Sequence, residues 1–355
     1  MIDKITFLLP TKGRDNFTIR LLKYFNMLKT PINLIIGDGM PNTNSYVLND
    51  KEKFPHINYE YIEYNDTNWL AYYKKVYDMC TKANTKYVML IDNDDFPLIS
   101  GISKNIEFLE NNSEYISSRG NIGGFELKNK DDKLYGEVVR FNLSYFDNYR
   151  HEIDENIDNY EKLKLYTKLN IPLFYNIFRK DILLNILNEA IEINFTDLNL
   201  HEFYFTSYAA VTGKNNFQKN TMTYLRQYNT SSQFDKKNNW ANHLLFSNYT
   251  TEFNNILFRL YNKLNNCNLK YETFSFEIKN LYSVHLSNRL ETLFNTQLKN
   301  NNRGVIFLSW LKFILKSFYN STKKIRINYS KVLIDITNRS DINDVILFLK
   351  YNGDK

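Results

Sequence analysis

The chain has 355 residues, 43% of them hydrophobic, and a formal charge of +6, which suits one large globular domain or a catalytic domain with a smaller one beside it. The mild basic excess comes without a nucleic-acid recognition motif, so we expect no nucleic-acid partner. Two cysteines are too few for a disulfide framework. The N-terminus lacks the pattern of a signal peptide, and no apolar stretch reaches the roughly 20 residues that span a bilayer. These features predict a cytoplasmic protein.

Short apolar runs alternate with helical patterns over the first hundred residues. The predicted strands are Ile5–Leu9, Ile32–Ile36, Ile57–Tyr64 and Tyr87–Ile91, and the predicted helices cover 15–29, a short segment after "MPNTN", and a longer one from Trp69 to Cys80. This alternation favours a parallel sheet with helices on both faces. Ligands of such sheets bind beyond the carboxyl ends of the strands.

Polar residues follow each of the four predicted strands. In chain order they are Thr11 with Arg14, then Asp38, then Asp66, then Asp92 to Asp95. Because the carboxyl ends of parallel strands share one edge of a sheet, we expect these side chains to converge there. This edge, rich in acids and with one arginine, is the strongest physical signal in the sequence.

The segment "YVMLIDNDDF", residues 87–96, places three acids directly after a buried strand. If the backbone stays extended, the carboxylates of Asp92 and Asp94 point to the same side. Crowded carboxylates repel one another, and a divalent cation removes that cost. Oxygen ligands of this kind suit Mg²⁺ or Mn²⁺. The alternative is a solvated acidic loop that caps the next helix.

The pattern is less regular beyond residue 100. We predict helices at 103–110, 150–168 and 197–212, strands at 120–127, 134–145 and 221–227, and a strand or loop leading into a helix over 172–187. From about residue 238 the chain is predicted to be mostly helical. We place a boundary near residue 235, which gives a nucleotide-binding half at 1–100, an acceptor half at 101–235 and a helical C-terminal region at 236–355.

Several segments together resemble a known enzyme family. They are "LLPTKGR" (8–14), "IIGDGM" (35–40), "YVMLIDNDDF" (87–96), and "LHEFYFTSYAAVTGK" (200–214) followed by "YLRQY" (224–228). The chain resembles GT-A glycosyltransferases of the family 2 kind, and more closely a bacterial branch from polysaccharide and capsule gene clusters. The resemblance implies a GT-A, Rossmann-like nucleotide-binding sheet. It also implies a hexosyltransferase-like, metal-dependent, inverting enzyme that uses a nucleotide-sugar donor, most often a UDP-sugar.

The resemblance implies nucleotide-binding roles in the first half of the chain. The opening motif that borders the nucleotide is matched by Pro10, Thr11 and Arg14. Asp38 matches the acid that hydrogen-bonds the nucleotide's base. Since "GDGM" stands where many members have "DDGS", the resemblance does not fix which nucleotide is bound. Asp66 and Lys75 lie in a region that commonly borders the nucleotide. Their alternatives are a helix N-cap for Asp66 and a solvent-facing helix position for Lys75.

The D-x-D motif and a later arginine complete the implied donor site. Asp92 matches the acid near the ribose and the metal, Asp94 matches a direct metal ligand, and Asp95 matches an acid that supports the sugar or the metal. Asn93, between the first two acids, is included among the nucleotide-binding residues. Arg226 lies on a predicted strand, where its planar guanidinium suits a diphosphate; a structural salt bridge is the alternative.

An inverting transfer needs a carboxylate that deprotonates the acceptor hydroxyl. The family places this base at the start of a helix in the second half, where Glu202 is the first choice and Asp197 the second; the alternatives are an exposed helix acid and a helix cap. His201 is interpreted as a surface histidine or as a contact to phosphate or acceptor. Arg179 and Lys180 either contact an anionic acceptor or belong to the surface at a helix start.

The segment 305–326 has an apolar helical stripe opposite lysines, followed by further basic residues. A basic amphipathic helix of this kind binds anionic membrane surfaces. It would suit a lipid-linked or glycan acceptor at the inner face of the cytoplasmic membrane. The alternatives are a helix packed in a C-terminal domain and the contact face of a homo-oligomer.

Three sequence features bear on the alternative functions. The chain lacks the Q-x-x-R-W motif of processive synthases, which favours a single-addition transferase. A nucleotidyltransferase would open with a glycine-rich phosphate loop, whereas "PTKGRDN" has only Gly13. A non-catalytic GT-A-like module that binds glycan or a partner at a membrane is the other alternative. Retaining chemistry stays open on sequence alone.

Overall fold

The computed structural model describes residues 1–41, 45–128, 134–142, 154–169, 173–195, 198–228, 249–264, 269–283 and 339–351. Its strands are β1 (Ile5–Thr11), β2 (Ile32–Asp38), β3 (Ile57–Glu63), β4 (Tyr87–Leu90), β5 (Phe96–Pro97), β6 (Tyr115–Leu127), β7 (Val138–Asn142), β8 (Ile177–Arg179) and β9 (Lys214–Gln227). Its helices are α1 (Asp15–Leu28), α2 (Ser45–Asn49), α3 (Trp69–Lys82), α4 (Ile99–Asn111), α5 (Asn159–Leu169), α6 (Lys180–Ile193), α7 (Leu198–Thr212), α8 (Tyr249–Lys263), α9 (271–283) and a C-terminal helix (Arg339–Tyr351).

The strands form one mixed sheet in the order β3-β2-β1-β4-β8-β6-β9-β5, with β7 paired to β6. The first four strands are parallel, and their register sets Thr11 opposite Asp38 and Asp38 opposite Glu63. β8 then pairs antiparallel with β4. The end of the sheet at which β1 to β4 finish is called the carboxyl edge below, and the opposite end the amino edge.

Helices cover both faces of the sheet, as strand alternation requires. Leu8 and Leu90 point into a core shared with α3, α6 and α7. Phe7 and Met89, one residue away in each strand, point into a second core shared with α1, α4 and the C-terminal helix. The predicted α/β class, a helix-flanked sheet with a mostly helical C-terminal part, is confirmed.

The two longest strands extend well beyond their predicted apolar segments. β6 and β9 pair in parallel from Tyr115 and Lys214 onward, across polar residues that lie outside the predicted strands at 120–127 and 221–227. Part of this polar stretch is buried, and its buried side chains hydrogen-bond to one another: the Ser117 hydroxyl donates to Asn215 Oδ1 over 2.6 Å. Mutual hydrogen bonding of this kind lets uncharged polar side chains occupy the middle of a sheet.

The C-terminal helix packs against elements from the first 135 residues. Phe348 contacts the rings of Tyr24, Phe96 and Tyr135. The Asp341 carboxylate accepts hydrogen bonds from the backbone N–H and hydroxyl of Ser100 over 2.9 and 2.8 Å, and so caps the start of α4. This helix belongs to the same packed body as the parallel strands.

Parts of the chain to which predictions were attached lie outside the described residues. They include the boundary near residue 235, the segment 305–326 and the first four residues, 150–153, of the predicted helix at 150–168. Of that helix, the structure shows α5 beginning at Asn159. Among the described helices, none has both the length and the apolar character required to cross a membrane.

Candidate active site

The chain turns at Asn93 and Asp94 directly after β4, so the extended backbone that would point Asp92 and Asp94 to the same side is not formed. Asn93 holds this turn through its side chain. Its side-chain amide donates to Thr11 Oγ1, to the Arg14 carbonyl and to Thr18 Oγ1 over 3.3, 3.3 and 3.1 Å. The inward-pointing Asn93 fixes this turn to β1 and α1 at the carboxyl edge.

Three carboxylates meet at this turn despite the bend. One oxygen from each of Asp92, Asp94 and Asp95 lies within 4.8 Å of the others. Burial, with the Asp94 charge second, raises the pKa of Asp92, and the same causes raise the pKa of Asp95 well above its usual range. A buried group of acids that repel one another gains stability from a cation. The all-oxygen donor set fits Mg²⁺ or Mn²⁺.

Two arginines lie beside the three carboxylates. Arg14 Nη2 is 3.0 Å from Asp94 Oδ2, and Arg226 Nε is 3.3 Å from Asp95 Oδ2. Their side chains are 27% and 32% exposed, so each is open to solvent. The site therefore combines acidic groups suited to a metal with guanidinium groups suited to a phosphate.

An unusual backbone conformation places Arg14 beside the three carboxylates. Gly13 and Arg14 have φ angles of 71° and 65°, both in the left-handed region. This is strained for a non-glycine residue. It lets α1 begin at Asp15 directly after β1 while the Arg14 guanidinium lies over the Phe17 ring, 4.3 Å from its centroid. The tight β1–α1 turn thus directs Arg14 toward the carboxylates.

Arg20 is a site residue that sequence reasoning missed. It is fully buried, and its guanidinium donates to the Asp94 carbonyl over 2.7 Å and to Gln227 Oε1 over 2.8 Å. The Gln227 N–H in turn donates to Asp95 Oδ1 over 2.9 Å. Arg20 therefore ties the acidic turn to β9. An arginine within an amphipathic helix carries no sequence signal that separates this buried position from a surface one.

Two tyrosines that were also missed hold Asp92. Tyr175 donates its hydroxyl to Asp92 Oδ2 over 2.8 Å, and the Tyr224 hydroxyl accepts from the Asp92 N–H over 2.8 Å. The two rings lie 4.7 Å apart between centroids. Burial raises the pKa of both hydroxyls well above their usual range, so they stay protonated. Asp92 is therefore held by two neutral hydroxyls, one donating to its carboxylate and one accepting from its backbone N–H, whereas Asp94 and Asp95 contact arginines.

Asp38 lies beneath the surface of the carboxyl edge. It is fully buried, and its two oxygens accept from the Met40 N–H over 3.0 Å and from the Tyr61 hydroxyl over 2.9 Å. Pro10, half-buried, and Thr11, buried, close the neighbouring strand. The structure thus brings Asp38 to the predicted edge but seals its carboxylate under the β2 turn.

Asp66 and Lys75 form a buried ion pair, so neither the helix N-cap alternative for Asp66 nor the solvent-facing alternative for Lys75 applies. Lys75 is 1% exposed, and its ammonium donates to Asp66 Oδ2 and, over 2.9 Å, to the Thr11 carbonyl. Burial lowers the pKa of Lys75. The N-cap of α3 is Asn68 instead of Asp66. The pair joins the loop after β3 to the end of β1, directly behind the site.

Replacing Lys75 with Met is expected to destabilise the fold by roughly 3–5 kcal/mol, because it leaves the Asp66 carboxylate buried without its counter-charge. Urea unfolding measures the loss. The double variant Lys75→Met with Asp66→Asn should recover most of it. If the double variant is as unstable as the sum of the single variants, the two residues do not act as a pair.

Glu202 lies exposed on α7. α7 ends where β9 begins, and β9 begins opposite Tyr115 at the amino edge. His201, near the start of α7, contacts Tyr73 near the start of α3, the helix that follows β3 at the carboxyl edge, so α7 starts toward that edge. Glu202 is therefore at the end of its helix that lies toward the acidic turn. Asp197, the second predicted base, lies outside the described residues.

His201 belongs to the core, so neither a surface role nor a ligand contact fits it. It is 3% exposed and lies against the rings of Tyr73, Phe195 and Phe205. Neither ring nitrogen has a hydrogen-bond partner among the described residues. Burial lowers the pKa of His201 to about 3. The neutral ring packs α7 against α3.

The depressed His201 pKa predicts a loss of stability in mild acid. The unfolded chain takes up a proton near pH 6.5 that the folded chain refuses until about pH 3, so stability falls as pH drops below 6.5. At about 1.4 kcal/mol per pH unit, this residue costs about 2 kcal/mol between pH 7 and pH 5. Urea unfolding at both pH values measures the effect: between pH 7 and pH 5, the unfolding free energy of His201→Leu should fall by about 2 kcal/mol less than that of the wild type. The exposed His56→Leu serves as the control and should behave as the wild type does. An unchanged dependence in His201→Leu contradicts the assignment.

Arg179 and Lys180 lie away from the site. Arg179 pairs in register with Tyr87 at the amino edge, and its guanidinium donates to the carbonyls of Leu109 and Asn112 at the end of α4. Lys180 donates to carbonyls at the end of α3. Both basic residues therefore cap helix C-termini, where positive charge is favourable. This position does not suit contact with an acceptor bound at the carboxyl edge.

Comparison with known proteins finds similarity in structure alone. No family model matches the chain, and no curated protein matches its sequence. The structure of S. aureus TarS 1–349 in complex with UDP-GlcNAc matches with a TM-score of 0.52 and 12% identity, over 80% of this chain and 73% of that one. The same fragment in complex with UDP matches with a TM-score of 0.50 and 14% identity, over 80% and 72%.

Two further matches are weaker. The chain spans 44% of a longer S. aureus TarS structure. Mannosyltransferase PcManGT from Pyrobaculum calidifontis, in complex with GDP-Man and Mn²⁺, gives a TM-score of 0.42 and 9% identity, over 90% of this chain and 88% of that one. At such identities, structural similarity identifies the fold and nothing finer. The chain therefore shares its fold with the TarS fragment.

Proposed function

We propose that the chain is a metal-dependent glycosyltransferase that moves a sugar from a nucleotide-sugar donor, a UDP-sugar, to a hydroxyl of an acceptor glycan. The observation that carries this proposal is the group of three carboxylates at the carboxyl edge, flanked by Arg14 and Arg226. Metal-binding acids beside phosphate-binding guanidiniums are what a sugar-nucleotide diphosphate requires.

The donor would bind along the ends of β1 to β4. Asp92, Asp94 and Asp95 would hold Mn²⁺ or Mg²⁺, which neutralises charge on the leaving diphosphate when bound. Arg14 and Arg226 would pair with the diphosphate oxygens. The residues proposed to line the nucleotide are Pro10, Thr11, Asp38, Asp66, Lys75 and Asn93. Of these, Asp38 would contact a base only after the β2 turn around Met40 moves, and the buried Asp66–Lys75 pair would act by holding Thr11 in place.

The transfer itself needs one proton acceptor. The acceptor hydroxyl oxygen attacks the anomeric carbon, the bond from that carbon to the diphosphate oxygen breaks, and the nucleoside diphosphate leaves. Glu202 takes the hydroxyl proton, with Asp197 as the second candidate. Attack opposite the leaving group inverts the anomeric configuration. The exposure of Glu202 toward the carboxyl-edge end of α7 supports its choice.

The structural match to TarS supports the choice of a UDP-sugar, because that protein was solved with UDP-GlcNAc and with UDP. A bacterial surface glycan or a lipid-linked precursor is the proposed acceptor, handled in the cytoplasm at the inner face of the membrane. Segment 305–326 is proposed to provide the membrane contact, with homo-oligomer formation as its alternative role.

Thermal unfolding with nucleotides tests the proposal directly. UDP with Mn²⁺ should raise the unfolding temperature by several degrees, and UDP-sugars should be hydrolysed slowly without acceptor, with GDP- and CDP-sugars as the comparison. A donor-independent glycan- or partner-binding module would show neither effect. The anomeric configuration of the transferred sugar then decides between inverting and retaining chemistry.

A further inference from the structure

Arg14 contacts one of the carboxylates that the proposed metal requires. Its Nη2 lies 3.0 Å from Asp94 Oδ2, within charge-assisted hydrogen-bonding distance. A divalent cation bound at Asp94 would face this guanidinium at close range, and like charges at such a separation repel strongly away from bulk water. Metal binding and the Arg14–Asp94 ion pair therefore compete for the same carboxylate.

The other two acids are held differently. Asp95 is held by the Gln227 backbone N–H as well as by Arg226, and its side chain is almost completely buried. Asp92 accepts from the neutral Tyr175 hydroxyl. Arg14 and Arg226 are both cations with partly exposed side chains, but Asp95 keeps the hydrogen bond from the Gln227 N–H when Arg226 moves away. Arg14 is therefore a partner that an incoming ligand can reach and displace.

A diphosphate offers Arg14 a new partner. Guanidinium groups bind phosphate oxygens in the same way as carboxylates, often through two parallel hydrogen bonds. Arg14 uses one terminal nitrogen on Asp94, and the left-handed backbone at Gly13 and Arg14 anchors its Cα at the carboxyl edge. A short movement of the side chain is then enough to exchange one anion for the other.

We propose that Arg14 neutralises Asp94 in the metal-free protein and transfers to the diphosphate when the donor binds. Metal and nucleoside diphosphate consequently bind with positive coupling, each raising the affinity of the other. This inference rests on the proposed function, because it takes the three acids to be the metal site. It adds that Arg14 weakens metal binding when the nucleotide is absent, and that it strengthens the binding of metal and nucleotide together when both are present.

Isothermal titration calorimetry on the full chain tests the coupling. Mn²⁺ is titrated alone and with saturating UDP, and UDP is titrated alone and with saturating Mn²⁺, with the association of Mn²⁺ and UDP in solution subtracted. The two coupling factors must be equal by linkage, and we expect them to be about 10-fold or more. In Arg14→Gln, Mn²⁺ alone should bind at least about 3-fold more tightly than to the wild type, and the coupling factor should fall by at least about 3-fold, leaving the part that comes from direct attraction between the metal and the diphosphate.

Two further variants separate charge from structural damage. Arg14→Lys keeps the positive charge and should bind Mn²⁺ alone about as weakly as the wild type does. Lys128→Gln removes an exposed lysine that pairs with the exposed Glu137, and it should leave every affinity unchanged. Unfolding temperatures without ligand confirm that each variant is folded.

The outcomes distinguish this inference from the proposed function. If the wild type binds Mn²⁺ and UDP but Arg14→Gln shows no gain in affinity for Mn²⁺ alone, the role of Arg14 is wrong and the proposed function stands. Equal Mn²⁺ affinities with and without UDP in the wild type also overturn the coupling. If the wild type binds no nucleotide with or without Mn²⁺, both proposals are overturned.

Discussion

Replacing Asp94 with Asn is expected to reduce sugar transfer by at least about 10³-fold, because several kcal/mol of charge stabilisation at the leaving group depend on this carboxylate. Asp94 lies among the three clustered carboxylates and contacts Arg14. The change keeps the size of the side chain and removes its charge. The increase in unfolding temperature produced by UDP with Mn²⁺ should disappear in the same variant.

Folding should survive this substitution. The Arg14–Asp94 ion pair is partly exposed, and pairs of that kind contribute about 0–1 kcal/mol. The Asp50→Asn variant, which changes an exposed acid that pairs with Lys53, provides the matched control and should keep full activity. Transfer at near wild-type rate by Asp94→Asn would show that the acidic turn is structural and that the metal-dependent mechanism is wrong.

Replacing Glu202 with Gln is expected to lower kcat by about 10²–10⁴-fold, the usual contribution of a general base. The KM for the donor should change little, since Glu202 is proposed to act on the acceptor hydroxyl. The exposed position on α7 predicts an unchanged unfolding temperature. Steady-state kinetics at saturating acceptor measures the effect, and a steeper rate increase at high pH than in the wild type would support the loss of a base.

Parallel variants decide between the candidate bases. Asp197→Asn is assayed in the same way. The base is the residue whose replacement lowers kcat without lowering the affinity for the donor. Glu272→Gln, which changes an exposed glutamate at the start of helix α9, is the control for removal of one helix carboxylate. Full activity in both Glu202→Gln and Asp197→Asn would place the base elsewhere in the chain.

The amino-acid sequence by itself determined the first four strands, the parallel arrangement and the edge where their polar ends meet. These features are local, because each apolar run needs only a strand period and a polar stop, and chirality then orders the crossovers. It also indicated the acids Asp92, Asp94 and Asp95, since three carboxylates after a buried strand are unusual without a cation nearby.

Tertiary structure alone decided which distant residues hold those acids in place. Arg20, Tyr175 and Gln227 contact the acidic turn from 74, 83 and 132 positions away along the chain, counted to Asp94, Asp92 and Asp95 respectively. It also sealed Asp38, buried Lys75 and moved His201 into an aromatic core. Burial and long-range pairing depend on how whole helices and strands pack together. The residues next to a side chain in the sequence therefore do not specify which distant residue it will contact.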